Sequence, residues 1–279
     1  MRIVDMTHPY SIHTPGWVGY AGNKMYYSQN LQTNQIVSQR IESSLHTGTH
    51  LDGPMHGTDG GLDMASLPLD KLIHPGAIVD VSDVVSDWDL IEPEHITRNV
   101  EIKKGDILII HTGFIDYYQD MPKQDLVRYF TMHPGGSARL AEWMADMEIR
   151  WWGIDAGSGD HPMATTIRNM RPDLLAKFEE HVGMTYKEFF GEYTYTHHMS
   201  GREITSDIFP MHHLAFQDGC IHAENVGGDL KTVLNQRAII GAFPWKIEGG
   251  EACPCRIMAF FDCGEDEVIE GLAGRGTVA

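Results

Sequence analysis

Cysteine is scarce in this chain. Its 279 residues hold four cysteines, Cys220, Cys253, Cys255 and Cys263, and none in the first 219 positions. A disulfide framework is therefore excluded as the organising device of so long a polypeptide. The pair in Cys253-Pro254-Cys255 is one residue short of the Cys-x-x-Cys spacing of redox and zinc motifs. Cys220, in an apolar stretch, reads as a packed thiol. Positive charge is also in short supply: 21 Lys and Arg stand against 39 Asp and Glu, a net charge of −18. Such a field repels nucleic-acid phosphates and anionic lipid, so neither is an expected partner. No apolar run is long enough to span a bilayer. The opening residues Met1-Arg2-Ile3-Val4-Asp5-Met6 lack the apolar core of a secretory signal, and a cytoplasmic location is expected. Repeats, low-complexity tracts and linkers are missing as well. What remains, 42% hydrophobic and 22% charged residues, is the balance of a globular protein with chain enough for a sizeable core.

Against these absences stands a concentration of histidine. The run His46-Thr47-Gly48-Thr49-His50-Leu51-Asp52-Gly53-Pro54-Met55-His56 puts three imidazoles and a carboxylate within eleven residues. Nitrogen and oxygen donors with no cysteine nearby favour zinc, manganese or iron and argue against a structural thiolate site. On a helix, His46 and His50 would share a face, but Asp52 and His56 would not. Gly48, Gly53 and Pro54 also oppose a helix. On an extended chain all four side chains point one way, yet His46 and His50 would then lie about 13 Å apart. The segment is expected to begin extended and then curl, with Gly48 and Gly53 supplying backbone freedom. A histidine-rich surface loop is the plain alternative, and four such residues around two glycines and a proline weigh against it.

Short apolar runs at Ala77–Val81, Ile107–His111, Ile149–Ile154, Ile221–Ala223, Ala238–Ala242 and Cys255–Phe261 read as buried strands. Helices are expected at Ser137–Met147 and at Pro172–Val182, the latter opened by proline and closed by Gly183. A short helix is expected at Glu92–Arg98, and a helical turn at Asp229–Gln236. Strands and helices are mixed along the chain, which makes the class α/β.

The pattern His-x-Gly-Thr-His-x-Asp-x-Pro-x-His resembles the signature of the cyclase family of metal-dependent hydrolases, which includes bacterial kynurenine formamidases and isatin hydrolases. Every fixed position is present. Asp5-Met6-Thr7-His8-Pro9 is similar to that family's opening strand and turn, and Trp152-Gly153-Ile154-Asp155 with Ala156-Gly157-Ser158 to its Gly-x-Asp segment. His212 and Glu224, twelve apart, match its second metal-site segment, with His212 rather than His213 as the fitting histidine. Pro244-Trp245-Lys246-Ile247-Glu248-Gly249 resembles its closing run. The resemblance implies a single domain over residues 1–279, of the swivelling β/β/α type, with a barrel-like β core and peripheral helices. It also implies a homo-oligomer, dimer or tetramer. Residues from about 162 to 208 are longer than in the compact formamidases and would form an insertion or lid. That stretch carries Arg168, Arg171, Tyr186, Tyr193, Tyr195, His197 and His198.

A divalent ion, Mn²⁺ or Zn²⁺, held by His46, His50 and Asp52 would keep open positions, the arrangement of a catalytic site. It would lower the pKa of water toward about 7 and polarise a carbonyl. His56 could be the general base. It could instead join His212 and Glu224 around a second ion, with Asp52 bridging. Glu224 could also accept the water proton with no metal. Asp155, at a strand end, suits a partner to a ligand histidine, a turn cap or the pocket. The resemblance implies that Trp17 walls a flat substrate pocket, with a structural tryptophan as the alternative. His74, His95, His161, His181 and His222 have no spacing that recommends them as ligands. The expected reaction is hydrolysis of a C–N bond in a small molecule, a cyclic amide or an aryl formamide. A metal-dependent cyclase, dehydratase or isomerase acting through an enolate, a lactone hydrolase, and a non-catalytic metal-binding protein are the rivals.

Overall fold

The computed structural model describes residues 1–272. Eight strands build the main sheet: β1 (Arg2–Asp5), β2 (His50–Asp52), β3 (Ile73–Asp80), β4 (Ile107–His111), β5 (Trp151–Ile154), β6 (Ile221–Glu224), β7 (Gln236–Pro244) and β8 (Ala252–Phe261). Their order is β1-β8-β7-β3-β4-β5-β6-β2, and β2 also pairs with β8. That last pairing closes seven strands, β2 to β8, into a barrel. β3, β4, β5 and β6 run parallel to one another, and the remaining pairings are antiparallel. The expected barrel-like core is thus present.

The parallel strands are apolar on both faces because both faces are covered. Ile107 and Ile109 of β4 pack with Ile78, Trp151, Ile221 and Ile257 inside the barrel. Leu108 and Ile110, one residue out of step, pack outward with Trp152, Leu140, Ala141 and Met144. The last three belong to the helix Ala138–Asp146, whose Ser137 side chain accepts the Leu140 N–H at its start. The helix Pro172–Val182 begins on proline and ends on a left-handed Gly183, as its sequence signals require. It buries Leu174 and Phe178 against Trp88, Met163 and Ile167, a third cluster. The short helix at residues 92–98 narrows to Pro93–Ile96, and the turn at 229–236 is a 3₁₀ turn, Leu230–Thr232. Residues 162–208 fold as short helices and a two-stranded hairpin, Tyr193–Thr196 with Glu203–Ser206.

The histidine-rich segment does begin extended and curl. After β2 it turns at Gly53 into one helical turn, Pro54–Gly57. A helix here runs against the expectation from Gly53 and Pro54. It forms because Pro54 occupies the first helical position, where no N–H is needed. Gly48 adopts φ 69°. Gly53 does not (φ −90°). It is needed for room, since a Cβ there would meet Met64 Sδ at 2.8 Å and the Glu251 carbonyl oxygen at 3.1 Å.

Candidate metal centre and substrate cleft

Period-two alternation aims the ligands. Leu51 of β2 and Ala223 of β6 face the barrel core, so His50, Asp52, His222 and Glu224 face the other way. β2 and β6 pair antiparallel with Glu224 directly opposite His50. The wide turn Met211–Ala215, of the π type that recurs at functional sites, brings His212 over this face. The helical turn Pro54–Gly57 brings His56.

Asp52 lies at the centre, and its two oxygens serve different partners. Oδ1 lies 2.9 Å from His46 Nδ1 and 3.3 Å from His50 Nε2. Oδ2 lies 3.3 Å from His222 Nε2 and 3.9 Å from His212 Nε2. Glu224 sits 3.2 Å from His222 Nε2 through Oε1 and 3.5 Å from His50 Nε2 through Oε2. Two groups of donors are close enough to share an ion, Asp52 with His212, His222 and Glu224, and Asp52 with His46 and His56. Both include Asp52. All six residues named as ligands from sequence, His46, His50, Asp52, His56, His212 and Glu224, are brought to this centre.

The donors suit a metal. His50 Nε2, Asp52 Oδ1 and both ring nitrogens of His222 are buried without a hydrogen bond. Polar atoms in that state are costly unless something else satisfies them. His50 Nδ1 donates to the Gly48 carbonyl at 2.8 Å, which leaves the Nε2 lone pair toward Asp52. His212 Nδ1 donates to Asp160, whose other oxygen accepts the Met211 N–H at 2.7 Å, so His212 Nε2 also faces inward.

The acids of the centre call for positive charge. Burial works against a charged His46, yet Asp52 and Glu251 outweigh it and push its pKa up to about 11. His222 is likewise pushed down by burial and up by Asp52 and Glu224, to about 9. Burial would raise Glu224 and Glu251, but their imidazole partners bring each to about 2. Asp52, though buried, is held well below the carboxylate range by His46, His50 and His56. His212 is pushed down by burial and by His222.

Three residues here escaped the sequence reading. His222 was set aside, although it lies two before Glu224 on one strand and so shares its face. Asp160 orients His212. Glu251 takes His46 Nε2 at 2.7 Å and His56 Nδ1 at 3.0 Å on one oxygen. Asp155 is not a wall of the cleft. It is fully buried and caps the turn after β4, accepting from the backbone of Thr112, Gly113 and Ile115 and lying 2.7 Å from His111 Nδ1. Three converging N–H groups need an acceptor there, and Asp155 supplies it.

The centre opens into a cleft of about 480 Å³. Trp17, Tyr20, Met170 and Phe209 wall it, and His213 and Thr166 add polar edges. From residues 162–208, Thr166 and Met170 reach the cleft. Arg168 instead pairs with Asp207, Arg171 with Asp173 and His197 with Asp59. Among the described residues no helix is long and apolar enough to cross a membrane.

Comparison with known proteins agrees with this geometry. The sequence profile of a family described as putative cyclase matches residues 4–161. The chain is 30% identical over 263 residues to the kynurenine formamidase of Salinibacter ruber, covering 92% of this chain and 97% of that protein. It is 25% identical over 176 residues to the kynurenine formamidase of Bordetella avium, covering 60% and 74%. The structure is similar to isatin hydrolase A from Labrenzia aggregata with a TM-score of 0.67 at 20% identity, covering 92% and 93%. At that identity the likeness speaks for the fold.

Proposed function

Because the chain belongs to the putative cyclase family, we propose that it is a metal-dependent hydrolase cleaving the C–N bond of a cyclic amide or an aryl formamide. The observation that carries this reading is Asp52, whose two oxygens each face their own pair of imidazoles. His46 and Asp52 would hold one Mn²⁺ or Zn²⁺, with His50, whose Nε2 lies 3.3 Å from Asp52 Oδ1, as the third donor and His56, which also groups with His46 and Asp52, left as the base. Asp52, His212, His222 and Glu224 would hold a second, with Asp52 common to both. When bound, a divalent ion supplies Lewis acidity toward the carbonyl and makes water easier to deprotonate.

The chain's own groups do the rest. His56, 21% exposed at the cleft, is oriented by Glu251 and takes a proton from water. The same ring returns that proton to the leaving nitrogen. Asp160 keeps His212 in one tautomer, and the Gly159 N–H donated to Glu224 at 3.1 Å fixes that carboxylate. Trp17, Tyr20, Met170 and Phe209 hold a flat substrate and exclude bulk water. The names of the relatives, kynurenine formamidase and isatin hydrolase, support the bond class. A cytoplasmic dimer or tetramer completes the proposal and is checked by light scattering and fractionation.

The test is acid release from formanilides, cyclic amides and lactones by purified protein, before and after dialysis against a strong chelator. We expect hydrolysis of an amide, loss on chelation, and recovery with Mn²⁺ or Zn²⁺. Turnover untouched by chelation, or no acid from any compound, would overturn the proposal.

A further inference from the structure

The residue next to His212 lines the same cleft, but nothing in the metal centre uses it. His213 is held from the side of the hairpin Tyr193–Thr196/Glu203–Ser206. Tyr195 stacks on its ring at 4.7 Å and 26°. The Tyr193 hydroxyl lies 2.7 Å from His213 Nδ1 and is also hydrogen-bonded to the Ile208 carbonyl. A phenol has one proton and a carbonyl has none. The Tyr193 proton therefore lies toward Ile208, and the Tyr193 oxygen must accept from Nδ1–H. That fixes the neutral tautomer of His213, with a bare lone pair on Nε2. Among the described residues Nε2 makes no hydrogen bond to the protein. Outside the metal centre, Ser158, Thr166 and Tyr20 line the cleft with hydroxyls that turn to donate or accept. The neutral His213 ring, pinned at Nδ1 and stacked, accepts at Nε2.

We propose that His213, locked by Tyr193, is a specificity-determining acceptor that selects substrates presenting an N–H, secondary and cyclic amides, over lactones and N-substituted amides. This rests on the hydrolytic reading above. The metal centre itself does not make the distinction, since amides and lactones offer it the same carbonyl. An N–H completes the Nε2 acceptor. A ring oxygen or N-methyl group leaves it unpaired in a cleft walled by Trp17 and Phe209, which lowers kcat/KM by about tenfold to a hundredfold.

The test compares isatin, which carries a ring N–H, with 1-methylisatin, on metal-loaded wild type, His213→Phe and Tyr193→Phe. Phenylalanine keeps the flat ring and removes the acceptor, so comparing ratios between proteins separates hydrogen bonding from the bulk of the methyl group. The isatin to 1-methylisatin ratio should fall about tenfold or more in His213→Phe and by a smaller factor in Tyr193→Phe. ¹⁵N spectra of the imidazoles should show Nδ1–H at His213 in wild type and a tautomer mixture in Tyr193→Phe. An unchanged ratio, or a proton on Nε2 in wild type, overturns the inference. If neither compound is hydrolysed by wild type, the hydrolytic reading is decided separately by the wider panel above. Calorimetric affinities for the two compounds then decide selectivity by the same ratio. If His213→Phe does not fold, the Tyr193→Phe ratio and spectrum carry the decision.

Discussion

At the scale of single residues the centre turns on Asp52. Asp52→Asn keeps the shape but removes the charge that both ligand sets share, and elemental analysis should find both ions lost with activity down at least a thousandfold. His222→Ala should weaken metal binding at least tenfold, and full occupancy in that variant would remove His222 from the ligand set. His56→Ala should lower kcat by about 10²- to 10⁴-fold. If its metal content is unchanged, the base role stands; loss of one equivalent makes His56 a ligand. The segment from His46 to His56 was legible because its ligands are close in sequence. His222 carried a legible signal too, two residues from Glu224 in an apolar strand, but motif spacing alone passed over it. Asp160 and Glu251 had no such signal. They reach His212 and His46 across sequence separations of 52 and 205 residues, and only tertiary packing brings them there.

At the scale of elements, six of the eight main-sheet strands announced themselves by apolar runs, β1 and β2 did not, and the helix Pro172–Val182 showed by its proline and glycine ends. Strand order did not, because the pairing of β2 with β8 joins segments 200 residues apart that share no local signal. The turn after β2 shows how tightly these pieces fit. Gly53 donates its N–H to the Glu251 carbonyl at 2.8 Å, and the added methyl of Gly53→Ala would press on that same backbone. We expect a loss of about 1–3 kcal/mol in urea unfolding. A fall in kcat should accompany it, because Glu251 would shift away from His46 and His56. A variant within about 0.5 kcal/mol of wild type would show that the turn yields more easily than its packing implies.

For the whole molecule, acid is the revealing stress. His161 is fully buried, with Nε2 donating to the Trp88 carbonyl at 2.9 Å and Nδ1 accepting the Met163 N–H at 3.1 Å. It cannot take a second proton in place, and burial lowers its pKa to about 3. His133 and His8 are also pushed down by burial, each to about 4. The unfolded chain protonates all three near pH 6.5, so the native state binds fewer protons below that point. Stability should fall as pH drops from about 6.5 toward 4, by about 1.4 kcal/mol per pH unit for each histidine. None of the three should contribute a slope above pH 7.5. Urea titrations of wild type and His161→Gln, whose amide can both donate and accept, should differ by about one proton in that window; equal slopes would mean His161 charges within the fold. The barrel also has a weakest stave. β2 is three residues long, it alone bridges β6 and β8, and it bears His50 and Asp52. An ion gripping these side chains together with those of β6 would rivet the seam shut. Amide exchange at residues 50–52 and 222–224 should therefore quicken at least tenfold when the ion is stripped, while residues 107–111 across the barrel keep their protection, so that demetallation unzips the cylinder along one line before the rest lets go.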